Sequence, residues 1–429
     1  MRALVLALLL IPAIARAQPG LEQDPPYIDV MTFGVGEVVF EKFGHAAICI
    51  RYHDAHRDPV CFNFGVTDFR EGAPMVWSFL RARQEFWVET LTYPGMMAFY
   101  EAEDRDIFVQ PLPLTATQAR AVETKLWAAL EGPESRYHYD LFFENCTTRL
   151  RDLVDHATGG KLAVGADLEY PLTFRQLGER GLASIPPLTA VSDFVFGRQL
   201  ETHPTLWEAM FHPEIFRGVI EQRLGVAPRH VYHRKGPAFV TSGPTGRLPL
   251  LAIGLLFALP LLISRSRDRS RLAASAVFAA VLAYVLLQIQ PPLWNALGAL
   301  SLIVPGVFLT AFAAALRSER LAIAWATLHL TWWGLFVWGL LIVSPINVLQ
   351  WNEAALAVMP LDVLLPFLGP TKRRIYARIR IVILLIASVL CAVGVLAQPL
   401  WIPILIAFLP LSILAFDLPT RFGEQVGSR

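Results

Sequence analysis

Hydrophobic and polar positions divide the chain into two parts of different character. Before residue 248, apolar residues recur at strand or helix spacing among charges and prolines. From residue 248 onward the sequence consists of long apolar runs, and a run of about 17–25 residues crosses a bilayer as a helix. The pattern predicts seven spans, of which the fifth is short and also fits a re-entrant or broken helix: 248–264, 272–288, 294–316, 321–344, 354–369, 381–397 and 401–416.

The distribution of charge predicts the orientation of these spans. Residues 1–17 combine Arg2, an apolar run and an Ala-x-Ala cleavage site, which is the pattern of a secretory signal peptide. Alternate connections between the spans are basic, and basic connections remain in the cytoplasm. The N-terminal part is therefore expected outside and the C-terminus inside. This predicts a signal peptide (1–17), an outer domain (18–235), a linker (236–247) and a transmembrane domain of about seven helices (248–429), with basic connections at 264–271, 317–320 and 371–380.

Two segments of the outer domain predict a β-hairpin. Residues 37–53 and 60–69 are rich in β-branched and aromatic residues, and a polar turn separates them. In an oxidising compartment Cys49 and Cys61 either pair across this hairpin or stay free, because the register is not readable from the sequence. Further along, residues 115–130 have helical spacing, with Thr117 as the expected N-cap.

Cys146 stands at the start of a predicted amphipathic helix. Apolar side chains from Leu150 to Ala157 share one face, and Gly159 and Gly160 end the helix. The N-terminus of a helix is the positive end of its dipole, which favours a thiolate, and the thiolate is the nucleophilic form of cysteine. A buried structural cysteine is the competing interpretation.

Two polar residues of the hairpin favour the catalytic interpretation. His45 on the first strand and Asn63 on the second provide a base and an orienting group for Cys146. Asp68 is the second candidate to orient His45, and His138 is a rival base near Cys146 in sequence. Tyr139 and Asn145 flank the nucleophile as candidates to stabilise an oxyanion or to cap the helix. Arg149 is a further candidate, although pairing with Asp152 three residues later is the simpler expectation.

Three motifs resemble the periplasmic domain of the Lnb-type family of bacterial lipoprotein N-acyl transacylases. They are FGHAAICI at 43–50, FNFGVTDF at 62–69 and YDLFFENCTTRLRD at 139–152. The resemblance covers most of residues 32–212, and the order of signal peptide and membrane spans extends it. The cysteine–histidine site is similar to that of circularly permuted papain-like proteins, in which histidine precedes cysteine. The implied fold is an α+β permuted papain-like periplasmic domain followed by an all-α transmembrane helical bundle.

The resemblance implies an acyl transfer within one lipoprotein at the periplasmic side of the bacterial inner membrane. An ester-linked chain of the diacylglyceryl-cysteine would move to the α-amine of that cysteine through a thioester on Cys146, with His45 as the base. The expected partners are diacylglyceryl lipoproteins and membrane lipids, and neither a metal nor a cofactor is required. The oligomeric state is not predicted.

Other function classes fit the sequence less well. A net charge of +1 argues against a nucleic-acid partner. His53 and His56 lie three residues apart in a turn without a third ligand, so a zinc hydrolase is not expected. Alternatives that keep the site are a papain-like peptidase or amidase acting on cell-wall peptide and a lipid acyl hydrolase. A third hypothesis, in which the site has no catalytic role, is a transporter with a non-catalytic outer domain. The membrane half shows no pair of matching broken helices, which argues against it.

Overall fold

The computed structural model describes residues 24–68, 73–185, 196–239 and 367–398, together with scattered single positions and pairs. The predicted signal peptide lies outside the described residues. The same holds for the first three predicted spans, and for the fourth, fifth and seventh apart from a few positions. Apart from scattered positions, the described residues therefore belong to the outer domain and to one helix of the C-terminal half.

A seven-stranded sheet forms the centre of the outer domain. The strands are β1 (Tyr27–Phe33), β2 (His45–Arg51), β3 (Val60–Val66), β4 (Glu85–Thr92), β5 (Ile107–Pro111), β6 (Arg136–His138) and β7 (Arg229–Tyr232). All neighbouring strands are antiparallel, and their spatial order is β6-β4-β3-β2-β1-β5-β7. The central strands β1 and β2 are buried on both faces, which explains why their sequences lack a clear alternation of apolar and polar residues.

Helices cover both faces of this sheet. The helices are α1 (Ala73–Leu80), α2 (Tyr93–Ala102), α3 (Ala116–Glu131), α4 (Cys146–Ala157), α5 (Phe174–Leu182), α6 (Leu206–Ala209) and α7 (Pro213–Leu224). On one face of the sheet, residues such as Ile48 and Phe62 pack with Leu126, Leu150 and Phe216 of α3, α4 and α7. On the opposite face, α2 contributes Met96 and Tyr100 to a smaller core.

The predicted hairpin is confirmed, and its register answers the question about the cysteines. β2 and β3 pair antiparallel with Cys49 opposite Cys61, and the two residues form a disulfide. The pair lies on the face covered by α2, because both residues belong to the smaller core. The disulfide therefore ties together the two strands that carry His45 and Asn63.

Two predicted boundaries in the outer domain were wrong. The first strand does not cover 37–53, because residues 39–41 form a 3-10 turn and β2 begins at His45. Gly44 has a φ of 79°, a left-handed conformation that ends any extended segment before His45. The N-cap of α3 is Thr115 rather than Thr117. The Thr115 side chain accepts a hydrogen bond from the Gln118 N–H, and the Gln118 side chain accepts one from the Thr115 N–H.

The sixth predicted span was wrong at both ends. Helix α8 runs over Pro370–Ala392, so the basic segment 371–380 is helical rather than a connecting loop. Arginine and lysine are good helix formers, and a proline at the first helical position favours this start. Among the described residues, Thr371–Ala392 is the one helix long and apolar enough to cross a membrane.

Candidate active site

Local hydrogen bonds place Cys146 at the first position of α4. The side-chain oxygen of Asn145 accepts hydrogen bonds from the N–H groups of Thr147 and Thr148, both at 2.9 Å, and the Thr148 hydroxyl accepts one from the backbone N–H of Asn145. The Asn145 amide nitrogen donates to the carbonyl oxygens of Leu141 and Phe211. Asn145 is thus the helix cap, and because its side chain is fully engaged it has no donor left for an oxyanion.

His45 is held by Asn63 across the hairpin. Its Nε2 lies 2.5 Å from the Asn63 carbonyl oxygen, which can only accept a hydrogen bond. Nε2 therefore carries the proton, and Nδ1 is left to exchange a proton with the thiol. Asp68, the second candidate for this role, lies beyond the end of β3, and Asn63 is the residue seen in contact with Nε2.

Gly65 occupies the centre of the site, and the sequence interpretation missed it. A Cβ added at Gly65 would lie 3.5 Å from the Cβ of Cys146 and 3.8 Å from both His45 Cε1 and the Tyr137 hydroxyl. The β3–β4 pairing shifts register at this point, and Gly65 has a φ of 98°. Glycine is therefore favoured here by its φ rather than by a lack of space, because an added Cβ would meet its neighbours at ordinary contact distances. A glycine inside a strand pattern was the available sequence signal for such an irregularity.

The surroundings of Cys146 favour its thiolate. Cys146 is only 6 % exposed. Burial raises its pKa, but the charge of His45 and hydrogen bonds from His45, the Ala46 N–H and the Thr147 hydroxyl outweigh burial and lower the pKa to about 7. A large fraction of the thiol is therefore ionised at neutral pH.

Tyr137 is a second site residue that the sequence interpretation missed. It is 7 % exposed, and its buried hydroxyl has no hydrogen-bond partner among the described residues. Burial, followed by the negative charge of Cys146, raises the pKa of Tyr137 well above its usual value, so the hydroxyl stays protonated. It is a free donor beside the nucleophile, as an oxyanion requires. The three-residue strand β6 that carries it gives no hydrophobic pattern to read.

The remaining candidates flank the site. Tyr139 stacks on Phe86, with ring centroids 4.3 Å apart, and burial followed by the charge of Cys146 raises its pKa well above the usual value. Arg149 pairs with Glu144 and lies over the Tyr137 ring, 4.3 Å from its centroid. The expected pairing of Arg149 with Asp152 was wrong, because Asp152 bonds Arg151. The rival base His138 is exposed on β6.

Sequence comparison bears on the same region of the chain. Residues 26–180 match the family model of the Lnb N-terminal periplasmic domain. The match supports a relation of this part of the chain, somewhat more than a third of the sequence, to the periplasmic domain of the Lnb family. The matched range, residues 26–180, contains all the site residues described above. No curated protein and no solved structure matches the chain. The permuted papain-like likeness and the multispan membrane domain stay predictions.

We expect Gly65→Ala to disturb the candidate site through the backbone. An alanine at a φ of 98° costs about 1–3 kcal/mol, whereas its Cβ would meet Cys146 and His45 only at ordinary contact distances. The melting temperature falls, and because a backbone shift that relieves the strain moves β3 beside His45 and Cys146, the pH midpoint of Cys146 alkylation rises from about 7 toward about 8.5. Iodoacetamide labelling followed by mass spectrometry measures that midpoint.

Gly159→Ala is the matched control. Gly159 has a φ of 73°, but an added Cβ there meets nothing within 4 Å. It should lower the melting temperature similarly and leave the alkylation midpoint of Cys146 in place. Equal midpoints in the two variants would contradict the central position assigned to Gly65.

Proposed function

We propose that the protein is an inner-membrane lipoprotein transacylase. It moves an ester-linked acyl chain of a diacylglyceryl-cysteine to the α-amine of the same residue. The observation that carries this proposal is the arrangement of Cys146 at a helix N-terminus, hydrogen-bonded by His45, whose other ring nitrogen is fixed by Asn63. The resemblance to the Lnb-type family implies the substrate class, a diacylglyceryl lipoprotein at the membrane, and the match of residues 26–180 to the Lnb N-terminal periplasmic domain supports that choice.

In the first half-reaction, the Cys146 thiolate attacks the ester carbonyl carbon. The carbonyl oxygen becomes an oxyanion, which the Tyr137 hydroxyl is placed to stabilise. When the intermediate collapses, the bond to the glycerol oxygen breaks and protonated His45 gives its proton to that oxygen. The products are a thioester on Cys146 and a glycerol hydroxyl on the lipoprotein.

In the second half-reaction, the α-amine attacks the thioester and gives its proton to His45. The carbon–sulfur bond breaks, the acyl chain becomes an amide, and the thiolate–imidazolium pair is restored. The sequence from ester to thioester to amide is downhill overall. Neither ATP nor a metal takes part.

The burial of the thiol supports transfer rather than hydrolysis. Cys146 is 6 % exposed, and Phe142 packs in the same core cluster. A thioester formed there is shielded from bulk water, and it persists until the amine of the bound substrate reaches it. The same shielding disfavours a hydrolase that uses water as its acceptor.

Tandem mass spectrometry of a diacylglyceryl lipopeptide with a free α-amine tests the proposal. After incubation with the full-length protein, the intact mass stays unchanged while one acyl chain appears on the nitrogen in the fragment spectrum. An N-acetylated lipopeptide is the matched control and should not rearrange. A gain of one acyl mass would indicate a phospholipid donor, and a loss would indicate a hydrolase. Either result would overturn the intramolecular reaction.

We expect Tyr137→Phe to slow transfer without weakening the fold. Loss of one oxyanion donor typically lowers kcat by about 100–1,000-fold. The melting temperature should be unchanged or higher, because the variant removes a buried hydroxyl that lacks a partner among the described residues. Single-turnover kinetics of thioester formation measures the effect.

Two further measurements separate this role from a structural one. The pH midpoint of Cys146 alkylation should stay near that of the wild type, because His45 remains in place. The control variant Tyr52→Phe should transfer the acyl chain at the wild-type rate, because Tyr52 follows β2 at the end opposite to His45. A kcat of Tyr137→Phe within a few-fold of the wild type would remove this hydroxyl from the mechanism.

A further inference from the structure

A cluster of metal-ligating side chains lies at the edge of the sheet, outside the site of Cys146. Asp106 immediately precedes β5, His230 lies on β7, and His233 follows β7. Antiparallel pairing of β5 with β7 places Phe108 opposite His230. The ligand atoms of Asp106, His230 and His233 all lie within 4.8 Å of one another. Asp106 is far from His230 and His233 in sequence, which is why no local motif reveals the whole cluster.

We propose that Asp106, His230 and His233 bind a divalent transition-metal ion, with Zn²⁺ as the best match. Two imidazoles and one carboxylate form a donor set that suits Zn²⁺ and leaves a fourth position for water or another ligand. The nitrogen donors disfavour Mg²⁺ and Ca²⁺, which prefer oxygen ligands. This inference does not depend on the reaction proposed for Cys146.

Neighbouring contacts hold the three side chains in position. The His230 ring lies between Phe108 and His233, with ring centroids 4.1 and 3.5 Å away. One carboxylate oxygen of Asp106 accepts hydrogen bonds from His230 Nε2 at 2.8 Å and from the Arg234 N–H at 3.0 Å. The bond from the Arg234 N–H is a supporting bond of the kind that fixes the orientation of a metal ligand, whereas the bond between His230 and Asp106 joins two proposed ligands and gives way when both bind the ion.

The Arg234 side chain does not occupy the position of the ion. The Arg234 guanidinium donates to Glu37 at 2.8 Å and to the carbonyl oxygens of Asp104 and Pro237, both at 2.9 Å. Glu37, rather than the Asp106 carboxylate, therefore balances the charge of the Arg234 guanidinium. Asp106 and His233 also line a cavity of about 380 Å³, so the fourth position of a bound ion has room for a water molecule.

A bound ion would stabilise the end of the sheet from which the chain continues toward the predicted linker. β7 is a short edge strand that pairs only with β5. The segment after β7 is already tied to the Asp104 carboxylate through the N–H groups of Lys235 and Gly236, both at 2.8 Å. A metal bond through His233 adds a second attachment beside it, and ligand binding to the folded state raises stability.

Zn²⁺ titration of the full-length protein tests this proposal. The protein is purified without a histidine tag, stripped with a chelator and titrated by calorimetry. We expect one Zn²⁺ per chain, a rise in melting temperature, and visible absorption when Co²⁺ replaces Zn²⁺. His233→Ala should weaken affinity by more than about 100-fold, because losing even an outer partner of a ligand costs about 10–100-fold.

The variant and its control separate a metal site from a simple ion pair. His233→Ala leaves the hydrogen bond between Asp106 and His230 in place, and the exposed position of His233 keeps the metal-free melting temperature unchanged. His56→Ala removes another exposed histidine and should bind Zn²⁺ like the wild type. A melting temperature that does not respond to Zn²⁺, or equal affinities in wild type and His233→Ala, would overturn the assignment.

Discussion

Cys146→Ser is expected to abolish acyl transfer, with a loss of about 10,000-fold or more. The serine hydroxyl is not ionised near pH 7, whereas the thiol it replaces has a pKa of about 7. A substrate with an acetylated α-amine makes the missing step visible, because the wild type can then form the thioester but cannot pass the chain on. Intact-protein mass spectrometry should show one added acyl chain on the wild type, removable by hydroxylamine, and none on Cys146→Ser.

Cys391→Ser is the matched control for this prediction. Cys391 is the other described cysteine outside the disulfide and lies in α8. Its serine variant should form the thioester and complete the transfer at the wild-type rate. An acyl chain found on Cys391, or transfer retained by Cys146→Ser, would remove Cys146 from the mechanism.

His45→Ala should produce the second largest effect, a loss of about 100–10,000-fold in transfer. His45 both lowers the pKa of Cys146 and carries the protons of the two half-reactions. In the wild type, alkylation rises with pH through about 7 and levels off above it, because the thiolate is the reactive form. Without His45, burial raises the pKa of Cys146 unopposed by that charge, and the midpoint moves above about 8.5.

His138→Ala is the control for a general effect of removing a histidine near the site. His138 is exposed on β6 and was the rival base by sequence proximity. We expect its alkylation midpoint and its rate to match the wild type. A midpoint that stays near 7 in His45→Ala would contradict the pairing of His45 with Cys146, even if transfer were lost.

The sequence predicted those elements of the site that depend on neighbouring residues, namely the start of α4 and the β2–β3 hairpin. The start of α4 at Cys146 is fixed by the Asn145 cap and by the amphipathic pattern that follows it. The hairpin of β2 and β3 also follows from adjacent residues and one turn. These two elements carry Cys146, His45 and Asn63, so the central residues could be proposed before their distances were known.

The residues that were missed depend on contacts between distant parts of the chain. Tyr137 reaches the site because Phe86 pairs with it across β4 and β6. Asp106 and His230 meet only because β5 and β7 are neighbours in the sheet. The early start of α8 was missed for a different reason. A run of arginines and lysines fits a loop by charge and a helix by propensity, and charge alone was considered.

Position along the sheet also separates the cysteines of the outer domain by chemical role. Cys49 and Cys61 belong to the core on the α2 face, whereas Cys146 belongs to the other core and meets β2 at His45, the first residue of that strand. Cys49 also lies four residues from His45 along β2, about 13 Å away. Exchange between a thiol and a disulfide requires the sulfur atoms to meet. Once the sheet has formed, an oxidising periplasm can therefore keep one pair of cysteines oxidised while the nucleophile stays reduced, without any enzyme to correct mispairing.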